Sequence, residues 1–378
     1  MTPRLAALGL LPVVLAAAAC TSDKPSAAPR SSGGPLTVVA SDKGCEVSTD
    51  TLAAGPHTFT ARNDGTGVNE VYVYLGDRSL GEAENIPPGT SRKLTVQLPE
   101  GSLEVACKPG GKGTGVRSPL TVTKPDKEVR VDAAAAAAAT SYTGYVVQQV
   151  DQLLEQTTAF TTAVKAGDIA KARSLYAVAR QPWERIEPVA EKLGDLDPRI
   201  DARDGDVPAK DWGGFHRLEK ALWIDRSVAG MTPVADQLLA DVKELVAKVK
   251  VLQLTPDALG NGANELLVEV STSKVTGEEE RYSRTDLSDF AANVEGSQAA
   301  YTPLAALVRT RDAALADLVE RRFTAVQKAL EAHRQPGAPG GFRNYDTLSK
   351  AQVRELATVV DALAEPMSRI TAVVVAGA

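Results

Sequence analysis

Residues 118–164 read SPLTVTKPDKEVRVDAAAAAAATSYTGYVVQQVDQLLEQTTAFTTAV, and the period of the apolar residues changes within this stretch. Before the alanine run at 133–139 the apolar residues follow the pattern of a β-strand. After the run they recur every three or four residues, which is the spacing of one face of an α-helix. The change predicts two domains, a β-rich one followed by a helical one.

The amino-terminal side of this boundary, residues 36–125, has the pattern of a small β-sandwich. Short apolar or alternating segments are separated by turn clusters rich in Gly, Pro and Asn, such as KPGGKGTG at 108–115. Short strands at regular spacing with such turns are typical of sandwiches. The predicted strands are LTVVA (36–40), HTFTARN (57–63), EVYVYL (70–75), KLTVQL (93–98), SLEVAC (102–107) and SPLTVTK (118–124).

On the carboxyl-terminal side, residues 126–140 are interpreted as an alanine-rich linker and residues 141–378 as an all-α bundle. Thr255-Pro256 resembles a helix start, because proline suits the first helical position. Ser349 and Gln352 have the spacing of a capping box. Beyond the helix at 147–164 and the one that follows Asp168, helices are predicted at 213–224, 233–252, 263–274, 286–301, 304–334 and 349–376.

Residues 1–20, MTPRLAALGLLPVVLAAAAC, have the features of an export signal. Arg4 precedes an apolar run that is short for a permanent membrane span, and small residues lead into Cys20. A small-residue stretch ending at cysteine resembles a bacterial lipobox, which predicts lipidation at Cys20. Residues 21–35 are rich in Ser, Pro, Gly and Ala and predict a flexible tether. We expect an exported protein that is lipid-anchored to the outer face of the cell membrane, or periplasmic without the lipid.

Composition excludes several classes of function. A net charge of −6 argues against a nucleic-acid binder that relies on a general phosphate contact surface. Aromatic residues at 4% make base-stacking surfaces improbable, so no nucleic-acid partner is expected. With three His and three Cys, the chain has too few ligands for a zinc-finger array or a poly-His site.

Cys45 and Cys107 both fall in the predicted sandwich. Outside the cytoplasm an even pair of cysteines most simply forms a disulfide. A metal site is the alternative, but blue copper needs two His with its Cys, and His57 is the sandwich's single histidine. Glu70 leaves open a looser site of Cys and Glu ligands. The sequence does not decide between a disulfide and a metal-binding pair.

The stretch from Glu184 to Glu219 carries ten acidic residues against six basic ones. Glu184 and Glu187 are three apart, so both carboxylates lie on one face of a helix. His216 and Glu219 repeat this spacing in GGFHRLEKALW, and Asp201 lies in the loop DPRIDARDGD. Further along, GEEERYSRTDLSDF supplies a run of glutamates and a third pair. That run and pair comprise Glu278, Glu279, Glu280, Asp286 and Asp289.

Side chains three apart on facing helices of a bundle can assemble a carboxylate and imidazole metal site. One imidazole with several carboxylates is a ligand set that suits iron, manganese or zinc rather than Cu(I). The alternative is a solvated acidic surface, with Arg185 and Arg217 as ion-pair partners.

These residues lie in segments that resemble the EfeO family, the extracytoplasmic components of Efe-type iron uptake systems. The resemblance runs from about 36 to 376, and the GxHxxE element at Gly214–Glu219 is the hallmark of the family's imelysin-like domain. The other matching segments are GCEVSTDTLAAG, ENIPPGTSRKLTVQL, VKAGDIAKARSLYAVARQPWERIEPVAE, DLDPRIDARD, GEEERYSRTDLSDFAANVEGSQ and YDTLSKAQVREL.

The resemblance implies an amino-terminal cupredoxin-like β-sandwich and a carboxy-terminal imelysin-like, metallopeptidase-like bundle. It further implies capture of iron, as Fe²⁺ or Fe³⁺, and its delivery to an iron permease that works with a haem-dependent peroxidase. Copper and zinc are alternative metals. Matched by motif, the metal ligands would be Glu184, Glu187, Asp201, His216, Glu219 and Glu279, with Glu278 as an alternative to Glu279. A second metal site would use Cys45, Glu70 and Cys107, beside an unusually long Gly/Lys loop.

Three other functions compete with iron capture by a non-enzymatic binder. A metallopeptidase would need more than one histidine at its zinc, and the chain has no HExxH motif. Copper-assisted oxidation of iron would use the sandwich. A polycation-binding scaffold would use the acids as a solvated surface.

Overall fold

The computed structural model describes residues 35–76, 78–111, 113–125 and 132–376. The predicted export signal, the lipidation site Cys20 and the tether up to residue 34 lie outside the described residues. So do residues 126–131 of the predicted linker.

The first domain is a sandwich of two sheets. One sheet has the strand order β2-β1-β4-β7 and the other the order β3-β9-β8-β5-β6. The pairs β1–β4 and β3–β9 are parallel, and the remaining pairs are antiparallel. The strands are β1 Thr37–Ala40, β2 Cys45–Val47, β3 Thr51–Ala53, β4 Gly55–Asn63, β5 Asn69–Leu75, β6 Arg78–Ile86, β7 Ser91–Leu98, β8 Gly101–Pro109 and β9 Val116–Thr123.

The sandwich core is formed by the inward-facing residues of both sheets, such as Phe59 on β4 and Val105 on β8, which are fully buried. Cys45 on β2 and Cys107 on β8 form a disulfide that joins the two sheets. Of the two alternatives that the sequence leaves open for this pair, the structure contains the disulfide.

The second domain is helical, as predicted. None of its described helices combines the length and the apolar character that a membrane span requires. The helices are α1 Ala133–Lys165, α2 Ile169–Ile186, α3 Leu196–Asp201, α4 Gly214–Lys220, α5 Thr232–Val249, α6 Pro256–Thr272, α7 Asp286–Tyr301, α8 Ala305–Arg311, α9 Ala313–Glu331, α10 Lys350–Met367 and α11 Ile370–Val375.

Several helix boundaries differ from the sequence prediction. Helix α6 begins at Pro256 rather than near residue 263, and Asp201, predicted to lie in a loop, is the last residue of α3. The alanine run that was expected as linker forms the start of α1, because Asp132 caps the backbone N–H groups of Ala134 and Ala135 and alanine favours helix. The helix predicted at 304–334 is interrupted at Asp312, which caps α9 instead. The segment 349–376 likewise divides into α10 and α11, whereas the capping box at its start is confirmed.

Helix α6 joins the two domains, since it packs against α7 and α10 on one side and against β6 and β7 on the other. Asp257, Asn261 and Glu265 are spaced four apart and so lie on one face of the helix. Asp257 accepts a hydrogen bond from the Gln97 backbone N–H at 2.9 Å, and Asn261 donates to the Thr95 carbonyl at 2.6 Å. Glu265 accepts from the backbone N–H of Glu84 at 3.2 Å.

We predict that Cys45→Ser/Cys107→Ser lowers the free energy of unfolding by about 2–4 kcal/mol, because a cross-link across a separation of 62 residues restricts the unfolded chain. Scanning calorimetry of both proteins measures the difference. Iodoacetamide labelling of the denatured, unreduced wild type is the control. If the peptides of Cys45 and Cys107 are alkylated without reductant, the disulfide does not exist in solution.

The buried carboxylate of Glu265 at the domain interface should make the stability of the protein depend on pH. Burial raises its pKa to about 7 from an ordinary value of 4.5. The folded state therefore keeps this proton to a higher pH than the unfolded state, and stability is lost as the pH rises from about 4.5 through 7. Because the Glu265→Gln side chain cannot ionise, the variant should not lose this stability. Its free energy of unfolding, relative to that of the wild type, should therefore rise by about 3 kcal/mol as the pH increases through this window.

Urea unfolding between about pH 4.5 and 8 gives both stability curves. Exposed Glu155→Gln is the matched control and should keep the pH dependence of the wild type. Parallel curves for Glu265→Gln and the wild type would contradict this account of the interface.

Candidate metal centre

The last turns of α2 direct charged side chains into the bundle. Arg180 and Glu184 are four residues apart, so they share one helix face, and both are fully buried. Glu187 begins the short helical turn Glu187–Leu193 and remains partly exposed. The sequence therefore places a guanidinium and two carboxylates along one edge of the site.

Helix α4 supplies His216 and Glu219, both buried and one turn apart. The glycine of the GxHxxE element is required for this. Gly214 has a φ of +71°, and a Cβ at this position would lie 2.2 Å from the carbonyl oxygen of Ile200. Because only glycine allows this approach, α4 can begin directly against the end of α3. Asp201, the last residue of α3, is thereby brought beside His216.

The loop between α6 and α7 supplies the glutamates of the GEEE run. Glu279 and Glu280 are buried within the cluster. The Glu278 side chain is 40% exposed and lies 3.6 Å from Arg203 at the surface. Of the two candidates that the resemblance left open, Glu279 is therefore the one that faces the histidine.

Each ring nitrogen of His216 faces carboxylates. Nε2 lies 3.4 Å from Asp201 Oδ1 and 3.8 Å from Glu279 Oε1, but it makes no well-formed hydrogen bond to any described residue. Nδ1 lies 3.3 Å from Glu219 Oε2. The other oxygen of Glu219 accepts the backbone N–H groups of Tyr282 and Ser283 at 2.9 and 2.7 Å. Glu219 is thus held in place, whereas Nε2 points between two carboxylates.

Two groups of ligand atoms are close enough to surround one cation. Asp201, His216 and Glu279 form the first, and His216, Glu219 and Glu280 form the second, with the atoms of each group within 4.8 Å of one another. The separations of Nε2 from Asp201 and Glu279, 3.4 and 3.8 Å, suit donors that share one ion at bond lengths of about 2.0–2.2 Å. The Nε2 group is the more suitable, because Nε2 makes no well-formed hydrogen bond to a described residue, while Nδ1 is occupied by Glu219.

The electrostatics of the site favour charged forms for these ligands. Burial and Arg180 lower the pKa of His216, but contacts with Asp201, Glu219 and Glu279 outweigh them and raise it well above 6.5. Burial raises the pKa of Glu279, yet Lys274, His216 and Arg203 bring it well below 4.5. The pKa of Asp201 is also lowered, since Arg180 and His216 outweigh the effect of burial.

Arg180 is the main counter-charge of the cluster. Its Nε lies 2.6 Å from Glu280 and 3.2 Å from Asp289, and Nη2 lies 3.4 Å from Glu279. It also forms ion pairs with Glu184 and Asp201. Burial raises the pKa values of Glu280 and Asp289 well above their ordinary range, although Arg180 acts in the opposite direction.

Glu184 and Glu187, two of the six predicted ligands, face other partners. Lys274 Nζ lies 3.2 Å from Glu184 Oε2 and 2.6 Å from Glu187 Oε1. The amide of Asn293 donates to both carboxylates, at 2.9 and 2.6 Å. Neither acid belongs to the two groups that surround His216. The structure therefore brings Asp201, His216, Glu219 and Glu279 together and places Glu184 and Glu187 beside them on a lysine.

Sequence analysis missed the two buried cations, Arg180 and Lys274. It considered Arg185 and Arg217 as partners for the acids, but these pair with Glu295 and Asp225 instead. The spacing of Arg180 four residues before Glu184 is a signal that could have identified it. Lys274 is 87 residues from Glu187, and no local pattern reveals such a contact.

The second predicted site, in the sandwich, has a different arrangement. Because Cys45 and Cys107 are joined in a disulfide, neither offers a thiolate to copper or zinc. Glu70 accepts a hydrogen bond from the Tyr72 hydroxyl at 3.1 Å, and burial raises its pKa. Both groups of potential metal ligands found among the described residues lie in the bundle.

Comparison with known proteins gives consistent matches. The family model described as imelysin, named for a peptidase family, matches residues 138–370, which is most of the helical domain. The protein named iron uptake system component EfeO from Escherichia coli O1:K1 / APEC is 40% identical over 349 residues. The EfeO proteins of Escherichia coli K12 and Shigella flexneri are 39% identical over the same length. In each case the match covers 89% of this chain and 91% of the relative.

We predict that Arg180→Gln lowers the free energy of unfolding by about 3–5 kcal/mol, because it leaves several buried carboxylates without their cation. Arg309→Gln is the matched control. Arg309 also pairs with two acids, Asp317 and Glu320, but it is 44% exposed, so its loss should destabilise the protein much less than the loss of Arg180. Urea unfolding measures both. Equal losses for the two variants would show that Arg180 is not the main counter-charge.

Proposed function

Because this chain belongs to the imelysin family and to its EfeO-type iron uptake components, we propose that it captures iron outside the cytoplasm through the site around His216. The observation that supports this most is the position of the buried His216, whose Nε2 lies 3.4 and 3.8 Å from the carboxylates of Asp201 and Glu279 and makes no well-formed hydrogen bond to a described residue. Carboxylate oxygens with one imidazole suit Fe²⁺ and Fe³⁺. The protein acts here as a binder, and iron is its cargo rather than a resident cofactor.

In this proposal the residues of the site have separate roles. Asp201, Glu279 and Nε2 of His216 bind the ion. Glu219 holds Nδ1 and so fixes the ring orientation, as partners of metal-binding histidines commonly do. Because Nε2 must be free of its proton to bind a cation and the raised pKa of His216 favours the protonated ring, capture competes with protonation and weakens as the pH falls. Glu280, held by the Ser283 hydroxyl at 2.6 Å, keeps the opposite wall of the site in place.

The name of the relatives and the family resemblance support the wider context of the proposal. The chain would deliver iron to a membrane permease that works with a haem-dependent peroxidase. It would be exported and anchored to the outer face of the membrane by a lipid on Cys20. A peptidase reaction is the less favoured function, because the only histidine of the site faces carboxylates through both nitrogens.

We predict that Glu279→Gln abolishes high-affinity iron binding, whereas Glu278→Gln leaves it unchanged. The two residues are neighbours, but only Glu279 faces His216. Glu219→Gln should weaken binding by about 10–100-fold, the usual effect of losing the partner of a metal-binding histidine. Equilibrium dialysis against ferrous iron without oxygen, followed by elemental analysis, measures the affinities, and circular dichroism monitors the fold.

If Glu279→Gln binds iron as tightly as the wild type, the site around Nε2 is not the iron site. If the wild type itself retains no iron, the proposal of iron capture is wrong.

A further inference from the structure

Lys274 lies where a metal ion would be expected to meet Glu184 and Glu187. Only 1% of its side chain is exposed. Nζ lies within 2.6 and 2.7 Å of the two oxygens of Glu187 and 3.2 Å from Glu184 Oε2. A buried ammonium is costly unless it is paired and hydrogen-bonded, and among the described residues the carboxylates of Glu184, Glu187 and Glu279 provide that pairing.

This cation position adjoins the one at His216. Glu279 Oε1 lies 3.8 Å from Lys274 Nζ and also 3.8 Å from His216 Nε2. One carboxylate oxygen therefore faces both positions. A cation bound at Nε2 acts on the same oxygen that helps to neutralise the lysine.

Asn293 provides an independent sign that the Glu184–Glu187 position can hold a metal ion. Its amide nitrogen donates to the Glu184 carbonyl at 3.0 Å and to the carboxylates of Glu184 and Glu187 at 2.9 and 2.6 Å. The amide oxygen Oδ1 is buried and has no partner among the described residues. An amide that turns by half a rotation exchanges its donor for an oxygen ligand. In one orientation Asn293 donates hydrogen bonds to the carboxylates that hold the Lys274 ammonium. In the other orientation it offers an oxygen to a metal ion.

We propose that Lys274 is a built-in competitor of iron: its ammonium holds Glu184 and Glu187, and an iron ion that binds beside His216 displaces it and recruits these carboxylates. The inference rests on the proposed iron capture and adds the residue that limits its affinity. A single positive charge on a flexible stem can be replaced by a cation of higher charge, which attracts the same carboxylates more strongly.

The main test compares ferrous iron affinities by anaerobic dialysis. Lys274→Gln should bind iron about tenfold or more tightly than the wild type, a gain of about 1.4 kcal/mol. Arg203→Gln is the matched control, because Arg203 contacts Glu279 at 3.0 Å but does not contact Glu187. It removes one positive charge without vacating the lysine position. An equal gain in both variants would mean general electrostatics and would overturn the proposal.

A double variant identifies the carboxylate that is released. Lys274→Gln/Glu187→Gln should lose most of the gain in affinity, because Glu187 is then no longer a ligand. If the double variant binds iron as tightly as Lys274→Gln, Glu187 is not recruited and the proposal fails.

A measurement on the wild type avoids the risk that Lys274→Gln does not fold. Acetylation by a water-soluble active ester, followed by peptide mass spectrometry, reports the reactivity of Lys274 with and without ferrous iron. Displacement predicts that loading with iron increases its acetylation, while Lys248, whose side chain is 42% exposed, serves as the internal reference. Unchanged protection of Lys274 in iron-loaded protein would overturn the proposal and leave iron capture intact. If neither the wild type nor Lys274→Gln binds iron, the proposals of iron capture and of competition by Lys274 are both wrong.

Discussion

The interaction on which the helical domain depends is the neutralisation of buried carboxylates by buried cations. Seven acidic side chains contact His216, Arg180 or Lys274, and most of them are almost completely buried. Ionised carboxylates cannot be removed from water without strong compensation. Arg180 and Lys274 provide part of it, and the raised pKa values of Glu280 and Asp289 provide another part by favouring their neutral forms.

This constraint explains why the site is assembled from distant parts of the chain. Residues from α2, α3, α4, α7 and the loop before α7 each contribute a charged group that needs partners from the others. Gly214 permits the close approach of α3 and α4, and α6 ends just before Lys274. Helix α6 also carries the contacts with the sandwich, so one element connects the docking of the first domain to the charge balance of the second.

The two domains and the spacing of His216 and Glu219 follow from local period. The family resemblance favoured Glu279, and the structure places this residue beside His216. The sequence did not predict how Glu184 and Glu187 are used. Spacing of three residues shows that two carboxylates share a helix face, but not which cation the opposite helix presents. For the same reason the sequence did not decide whether Cys45 and Cys107 form a disulfide or bind a metal ion. Pairing across 62 residues depends on how the two sheets pack.

A protein that carries iron must release it as well as bind it, and the cations of the site bear on release. A cluster of carboxylates without an internal counter-charge would repel itself once the metal departs, and this repulsion would oppose release. Here Arg180 already contacts Glu184, Asp201 and Glu279, and on our proposal Lys274 returns to Glu184 and Glu187 when iron leaves. The internal cations thus lower the free-energy cost of the unloaded site. If the chain captures iron as proposed, these cations make binding less tight and release easier.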